Sequence, residues 1–382
     1  MKQGDLVASK YRLIARLGQG GMGEVWSAAH VQTEREFAIK FMHQAIAATS
    51  EDARHRFIQE ARASAKINHP NIIDIFDVGE TEEGSLYLVM ELLEGMSLGE
   101  LLRAEPGYTA RDLLVVLAGT LSALVAAHAA GVVHRDIKPP NIYLHRDRAT
   151  GVIRTKVVDF GVSKILMGDE GFATHTGSLL GSPRYMSPEQ AISATSADGR
   201  ADVWSIGVVM FEALTGRFPH EGDSSNSIVI AIAMQPPRSI HEVAPHLPLA
   251  LRTLVDACIR PVGERIQTAA ELLERVLDTL RSNDLRDVPL ARPATAKGRT
   301  RPRPTGFVIG NDVDAIPGVT TTRSVPARDR HPSHATLLDP TTPNASNEDA
   351  TLIHVPAQIR ATGPSDPRAS GRDLAPAPAR AR

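Results

Sequence analysis

Cysteine is almost missing from this 382-residue chain. Cys258 is the one thiol, so no disulfide can close within the chain. Its neighbours Leu254, Val255, Ala257 and Ile259 mark it as a small core residue rather than a reactive group. Charge of one sign is missing too, the formal net charge being -2. From residue 286 onward fourteen Lys and Arg stand against nine Asp and Glu, and before it 28 stand against 35. The body therefore lacks a basic footprint for nucleic acid, and the excess in the tail is spread out rather than clustered. The N-terminus carries Lys2, Asp5 and Arg12 without the apolar stretch of a secretory signal. The best candidate for a membrane span, Leu113 to Ala127, is broken by Thr120 and Ser122 and falls short of the roughly 18 apolar residues a span needs. It reads as a buried helix. No Gly-x-x-x-x-Gly-Lys-Ser/Thr segment exists, which argues against a P-loop enzyme. These absences predict a soluble, cytoplasmic protein with no membrane span and no nucleic-acid partner.

The 42% hydrophobic content can supply a substantial core. Gly18-Gln19-Gly20-Gly21-Met22-Gly23-Glu24-Val25 reads as G-x-G-x-x-G-x-V. The flanking Tyr11 to Leu17 alternates as a strand does, and Val25 to Ala29 is strand-like, so the glycines tip a β-hairpin rather than turn a strand into a dinucleotide-binding helix. Phe37-Ala38-Ile39-Lys40 follows as a further strand. Two later segments carry the densest chemistry: His134-Arg135-Asp136-Ile137-Lys138-Pro139-Pro140-Asn141 and, eighteen residues beyond Asn141, Asp159-Phe160-Gly161. Together they place a candidate base (Asp136), a cation (Lys138) and two metal-ligand oxygens (Asn141 and Asp159) around one transferable phosphate.

In this order and spacing the motifs resemble the catalytic core of a eukaryotic-type protein kinase. Through Gln19 to Trp26 and Tyr185 to Gln190 the likeness is greatest to bacterial Hanks-type serine/threonine kinases. The resemblance spans roughly residues 11–281. It implies an α+β, bilobal protein kinase fold: a β-rich small lobe with one helix over about 11–92, and a mainly helical large lobe over about 97–281. It implies transfer of the γ-phosphoryl group of ATP to Ser/Thr hydroxyls of protein substrates, with Mg2+ as the ion and Mn2+ as the alternative. The Asp-x-Lys-x-x-Asn arrangement around Lys138 resembles the serine/threonine rather than the tyrosine subgroup. The resemblance surrounds the nucleotide with Leu17, Gly18, Gln19, Gly20, Gly21, Met22, Gly23, Val25, Ala38, Lys40, Met90, Glu91, Leu93, Tyr143 and Val158. Lys40 would hold the α- and β-phosphates and be oriented by Glu60, while Asp159 and Asn141 would ligate the ion. Asp136 would accept or orient the proton of the attacking hydroxyl, and Lys138 would neutralise γ-phosphate charge.

Some positions depart from the family pattern. Tyr143 stands where an aliphatic side chain usually forms the floor beneath adenine, and Ser182 replaces a threonine. Arg265, expected to pair with Glu189, follows Pro261 by four residues, one more than usual. Asp202 would accept backbone hydrogens from the catalytic loop. Arg135 marks a kinase whose activation segment, here Asp159 to Glu189, is ordered by phosphorylation. Thr176, with Thr174 secondary, would be the autophosphorylation site.

From about 286 the composition changes: fourteen of the 26 prolines fall there and Phe307 is the only aromatic. Such a stretch, 286–382, cannot offset its ordering entropy and is expected to be disordered. His334 to Asp339 and Asp349 to His354 are near-copies. Phosphorylated Thr336, with Asp339 three residues on, would resemble a docking motif for a phosphothreonine-reading domain. Two other readings stand beside the protein kinase. One is a nucleotide-binding pseudokinase or scaffold that acts through its tail. The other is a small-molecule kinase of the antibiotic type, which generally lacks the Ser187-Pro188-Glu189 closure and the Asp202 helix.

Overall fold

A computed structural model describes residues 1–20, 23–42, 51–104, 107–148, 150–160, 183–193 and 197–291. The chain divides into two units, Met1–Thr322 and Arg323–Arg382, and every described residue belongs to the first.

The small lobe is a six-stranded antiparallel sheet in the order β1-β2-β3-β4-β6-β5. Its strands are β1 Leu6–Val7, β2 Tyr11–Gly20, β3 Gly23–His30, β4 Glu36–Met42, β5 Ile75–Glu80 and β6 Leu86–Met90. Helix α1, Glu51–Ala65, packs on β5 and buries Phe57 and Ala61 against Met42, Leu86 and Leu88. A second apolar cluster, with Leu13, Trp26, Ile39 and Phe41 among its members, fills another part of the lobe. The glycine-rich segment does tip a hairpin, since Gly20 pairs with Gly23 across β2 and β3. Gly23 has φ +154°, and a Cβ there would overlap the carbonyl of Phe41 on β4, so only glycine lets these two backbones approach.

The large lobe holds a three-stranded sheet that the helical reading of 97–281 does not anticipate: β7 Gly95–Ser97, β8 Ile142–Arg146 and β9 Ile153–Val157. Strands of three and five residues are too short for their alternation to stand out among helical neighbours, and so give little signal. Around this sheet lie α2 Leu98–Arg103, α3 Ala110–Ala129, α4 Pro188–Ile192, α5 Arg200–Thr215, α6 Ser225–Met234, α7 Ile240–Val243, α8 Leu249–Cys258 and α9 Ala269–Ser282. Among the described residues α3 alone is long and apolar enough to cross a membrane; the helix extends past the apolar run on both sides. Its leucines are instead core, and it packs on α9 and α5. Thr109 caps it, accepting from the Asp112 amide while Asp112 accepts from the Thr109 amide. Cys258 is fully buried where α8 meets Gly207 of α5.

Chain past α9 stays with the lobe. Leu285 is fully buried, and backbone hydrogen bonds join Ala110 to Val288 (2.8 Å), Leu290 to Tyr108 (3.1 Å) and Ala291 to Ala213 (2.8 Å). Packing of Leu285 and this short backbone pairing hold 285–291 against the lobe, beyond the expected limit at 281–286.

Candidate active site

Register places the upper wall of the site. Val25 pairs with Lys40, and Ala38 pairs with Met90, so these four side chains share one face of the small-lobe sheet. Ala38 and Lys40 are buried, while Leu17, Gly18, Gln19 and Gly20 are exposed along the hairpin. Lys40 is carried by a central strand, and its Nζ lies 2.7 Å from Oδ1 of Asp159. Behind that pair lies an apolar cavity lined by Met42, Phe57, Ile73, Ile75, Leu88, Met90 and Phe160.

The lower wall is built on the catalytic loop and β8. Lys138 donates to Oδ2 of Asp136 at 2.8 Å. Asn141 uses its amide hydrogens on the Asp136 carbonyl (2.8 Å) and carboxylate (3.1 Å), leaving its side-chain oxygen as the end able to ligate a cation. Val158 donates its N–H to the Asn141 carbonyl at 3.0 Å, which fixes Asp159 beside the loop. The structure thus brings Lys40–Asp159 and Asp136–Lys138–Asn141 to one cleft. Met90, Glu91, Leu93, Tyr143 and Val158 are half-buried, with Tyr143 opposite Ser97 in the β7–β8 pairing. Burial, and then the nearby Glu100 and Glu94 carboxylates, push the Tyr143 phenol above its usual pKa.

Within the site two non-glycine residues carry left-handed backbone geometry: Arg135 at φ +61° and Asp159 at φ +59°. Such a conformation costs about 1–3 kcal/mol and persists only where surrounding bonds over-determine it. For Arg135 those bonds come from Asp202. The buried carboxylate of Asp202 accepts the His134 amide at 2.9 Å, the Arg135 amide at 2.8 Å and, from α3, the ring Nε2 of His128 at 2.8 Å. Gln190 adds a bond from its side-chain amide to the Arg135 carbonyl at 3.0 Å. His134 is fully buried; its Nδ1 accepts the Asp136 amide, so Nε2 carries the proton donated to the Val158 carbonyl at 3.0 Å. Burial pulls its pKa below the usual histidine range. Its ring lies 4.7 Å from that of Phe160, centroid to centroid.

The large-lobe pair forms despite the extra residue after Pro261: Arg265 makes two 2.9 Å bonds to the two oxygens of Glu189, beneath which its guanidinium stacks on Trp204. Nothing is described for Gly21, Met22 and Gly161, for the side chain of Glu60, or for Ser182, Thr174 and Thr176. The Lys40–Glu60 pair and the phosphorylation sites thus lie outside the described residues, as does the tail from 292. Sequence reading missed His128 as the third donor to Asp202, and it missed Lys156, whose ammonium lies 2.7 Å from the Glu91 carboxylate. Pairs separated by 74 and 65 residues leave no local pattern to read.

Nucleotide and divalent ion fit this donor set. Asp159 and Asn141 offer hard oxygens, and among the described residues no group of three or more His, Cys, Asp or Glu could hold an ion unaided. Two protein ligands completed by phosphate oxygens suit magnesium.

Comparison with known proteins agrees with the geometry. The protein kinase domain family matches residues 11–278, and the chain belongs to that family. Its curated relatives put it in the bacterial Hanks-type branch. It is 34% identical to serine/threonine-protein kinase pkn3 of Myxococcus xanthus, over 77% of this chain and 49% of that one. It is 34% identical to serine/threonine-protein kinase PrkC of Bacillus subtilis, over 74% of this chain and 43% of that one. For serine/threonine-protein kinase PknA of Mycobacterium tuberculosis the identity is 37%, over 66% and 57%. The chain therefore spans about half the length of these relatives. The crystal structure of the Mycobacterium tuberculosis PknI kinase domain superposes with a TM-score of 0.56 at 24% identity, covering 72% of this chain and 98% of that domain, and it shares the fold.

Proposed function

We propose that this chain is an ATP-dependent protein kinase that phosphorylates serine and threonine hydroxyls of protein substrates. The observation that carries this reading is the convergence, on one cleft, of the Asp136–Lys138 pair, the Asn141 side chain and the Lys40–Asp159 pair. Phosphoryl transfer asks mainly for positioning and charge neutralisation, and each group has a task of that kind. Asp136 accepts or orients the hydroxyl proton, and Lys138, already 2.8 Å from it, neutralises the transferring phosphate. Lys40 leaves Asp159 for the α- and β-phosphates, with Glu60 on α1 as its orienting carboxylate. Asp159 and Asn141 hold the ion. Magnesium, when bound, supplies further neutralisation of the phosphates. Val25 and Ala38 above, Tyr143 below, Val158 behind and the Met90-Glu91-Leu93 edge enclose the base.

Residues 11–281, with 285–291 held against them, would form the catalytic domain, and the rest of 286–382 would be a tail that serves partner capture, including by a phosphothreonine-reading domain. The same reading puts the domain in the cytoplasm and makes phosphorylation of Thr176, then Thr174, the activating step. The test is transfer of labelled γ-phosphate from ATP with magnesium, comparing wild type with Asp136→Asn and mapping sites by mass spectrometry. Label on Thr174 or Thr176 in wild type only is expected. Tight nucleotide binding with no label in either protein would sink catalysis and favour the scaffold.

A further inference from the structure

Lys156 is a buried cation that none of the tasks above uses. It lies in β9, three residues before Asp159, and is 6% exposed. A buried ammonium is tolerated only when paired and hydrogen-bonded. Here Nζ lies 2.7 Å from Oε2 of Glu91 and donates to the Ile72 carbonyl at 3.2 Å.

Three segments meet at this side chain. The first is the linker that leaves β6 at Glu91 and crosses to the large lobe. The second is the loop 71–74 ahead of β5. It runs along β9, where Val157 donates to the Asn71 carbonyl at 2.7 Å, and it accepts the Glu91 amide at the Asp74 carbonyl at 2.9 Å. The third is the β8–β9 hairpin, which grips the far end of the linker through a 2.7 Å bond from the Arg146 amide to the Glu94 carbonyl. From Lys156 the chain reaches Asp159 in three residues, about 10 Å of extended backbone. Val157 and Val158 on that path both have their N–H groups committed. Asp159 itself is held at φ +59°, with little slack to absorb a shift.

We propose that Lys156 is a positioning residue that couples the linker at the base edge of the nucleotide site to Asp159 at its ion side, and so adds to the coupling of nucleotide and magnesium that shared phosphate oxygens supply directly. This rests on the kinase reading, because it takes Glu91 as part of the base edge and Asp159 as the ion ligand. A cation that merely filled space would contribute to stability and leave only the coupling that shared phosphate oxygens supply directly.

The test uses the full-length chain and a fluorescent ADP analogue, titrated with and without magnesium. Lys156→Met alone leaves the Glu91 carboxylate with only the His145 ring, 3.9 Å away, and could prevent folding, so the working variant is Lys156→Met/Glu91→Leu, which removes both charges and keeps apolar volume. In wild type magnesium is expected to tighten nucleotide binding; in the double variant that gain should shrink by about five-fold or more, the low end of ordinary coupling between sites. Lys156→Arg should retain it. An undiminished gain in the folded double variant overturns the coupling while leaving the kinase reading intact. A wild type that binds no nucleotide overturns both. Should the double variant not fold, hydrogen exchange on wild type decides. The analogue added without magnesium should slow exchange at the Val157 and Val158 amides, and unaltered exchange there overturns the proposal.

Discussion

Asp202 concentrates more of the site than any group that would touch substrate. One fully buried carboxylate accepts three donors, two of them the amides that hold Arg135 in its left-handed conformation and so set the direction of Asp136. His134 is its neighbour in this role, and its ring titrates. The folded state holds this ring neutral because it is buried and because Nδ1 is needed as an acceptor for the Asp136 amide. Its folded pKa lies below the unfolded value of about 6.5. Below that pH the unfolded chain takes up a proton that the folded chain refuses, so stability falls as pH falls. The slope is about 1.4 kcal/mol per pH unit until the folded pKa is reached. His69 and His220, lowered chiefly by burial, act in the same sense. Melting temperature followed from pH 7.5 to 5.5 should decline on the acid side, and a flat profile would refute the buried neutral state.

At the scale of elements, α5 is the scaffold on which Asp202, Trp204 and Gly207 are spaced. Helix propensity favours Gly207→Ala by about 1 kcal/mol. The packing reverses that sign, because a Cβ there would stand 2.5 Å from Cβ of Cys258 and 2.9 Å from Cγ2 of Ile259. Overpacking of this kind costs about 1–3 kcal/mol. Denaturant unfolding of Gly207→Ala should show a net loss, and a gain would mean that α8 moves aside freely. The same element shows what a sequence does and does not display. The glycine hairpin was legible because turn chemistry is local, and α3 because its leucines recur at helical spacing. The β7–β9 sheet was not legible, since its strands are only three to five residues long. Nor was the third donor to Asp202, because His128 sits at the end of a helix whose apolar pattern says nothing about a partner 74 residues away.

At the scale of the whole molecule, the boundary of the folded unit can be tested directly. The run 288–291 is tied to Tyr108, Ala110 and Ala213 and follows the buried Leu285. A chain ended after Ala291 should melt within a degree or two of the full-length protein. One ended after Asn283 should lose about 2–4 kcal/mol, mostly through exposure of Leu285 and the surface beneath it. Equal melting of the two would show that the strap is dispensable. The lone thiol has a consequence for how such variants could be compared. Cys258 is sealed at the α5–α8 contact, and burial raises its pKa, so in the native protein it is hidden and protonated. An alkylating reagent would therefore meet it only when that helix pair parts. The rate of labelling would count openings of the large lobe, one chain at a time, and the native sequence already carries the reporter.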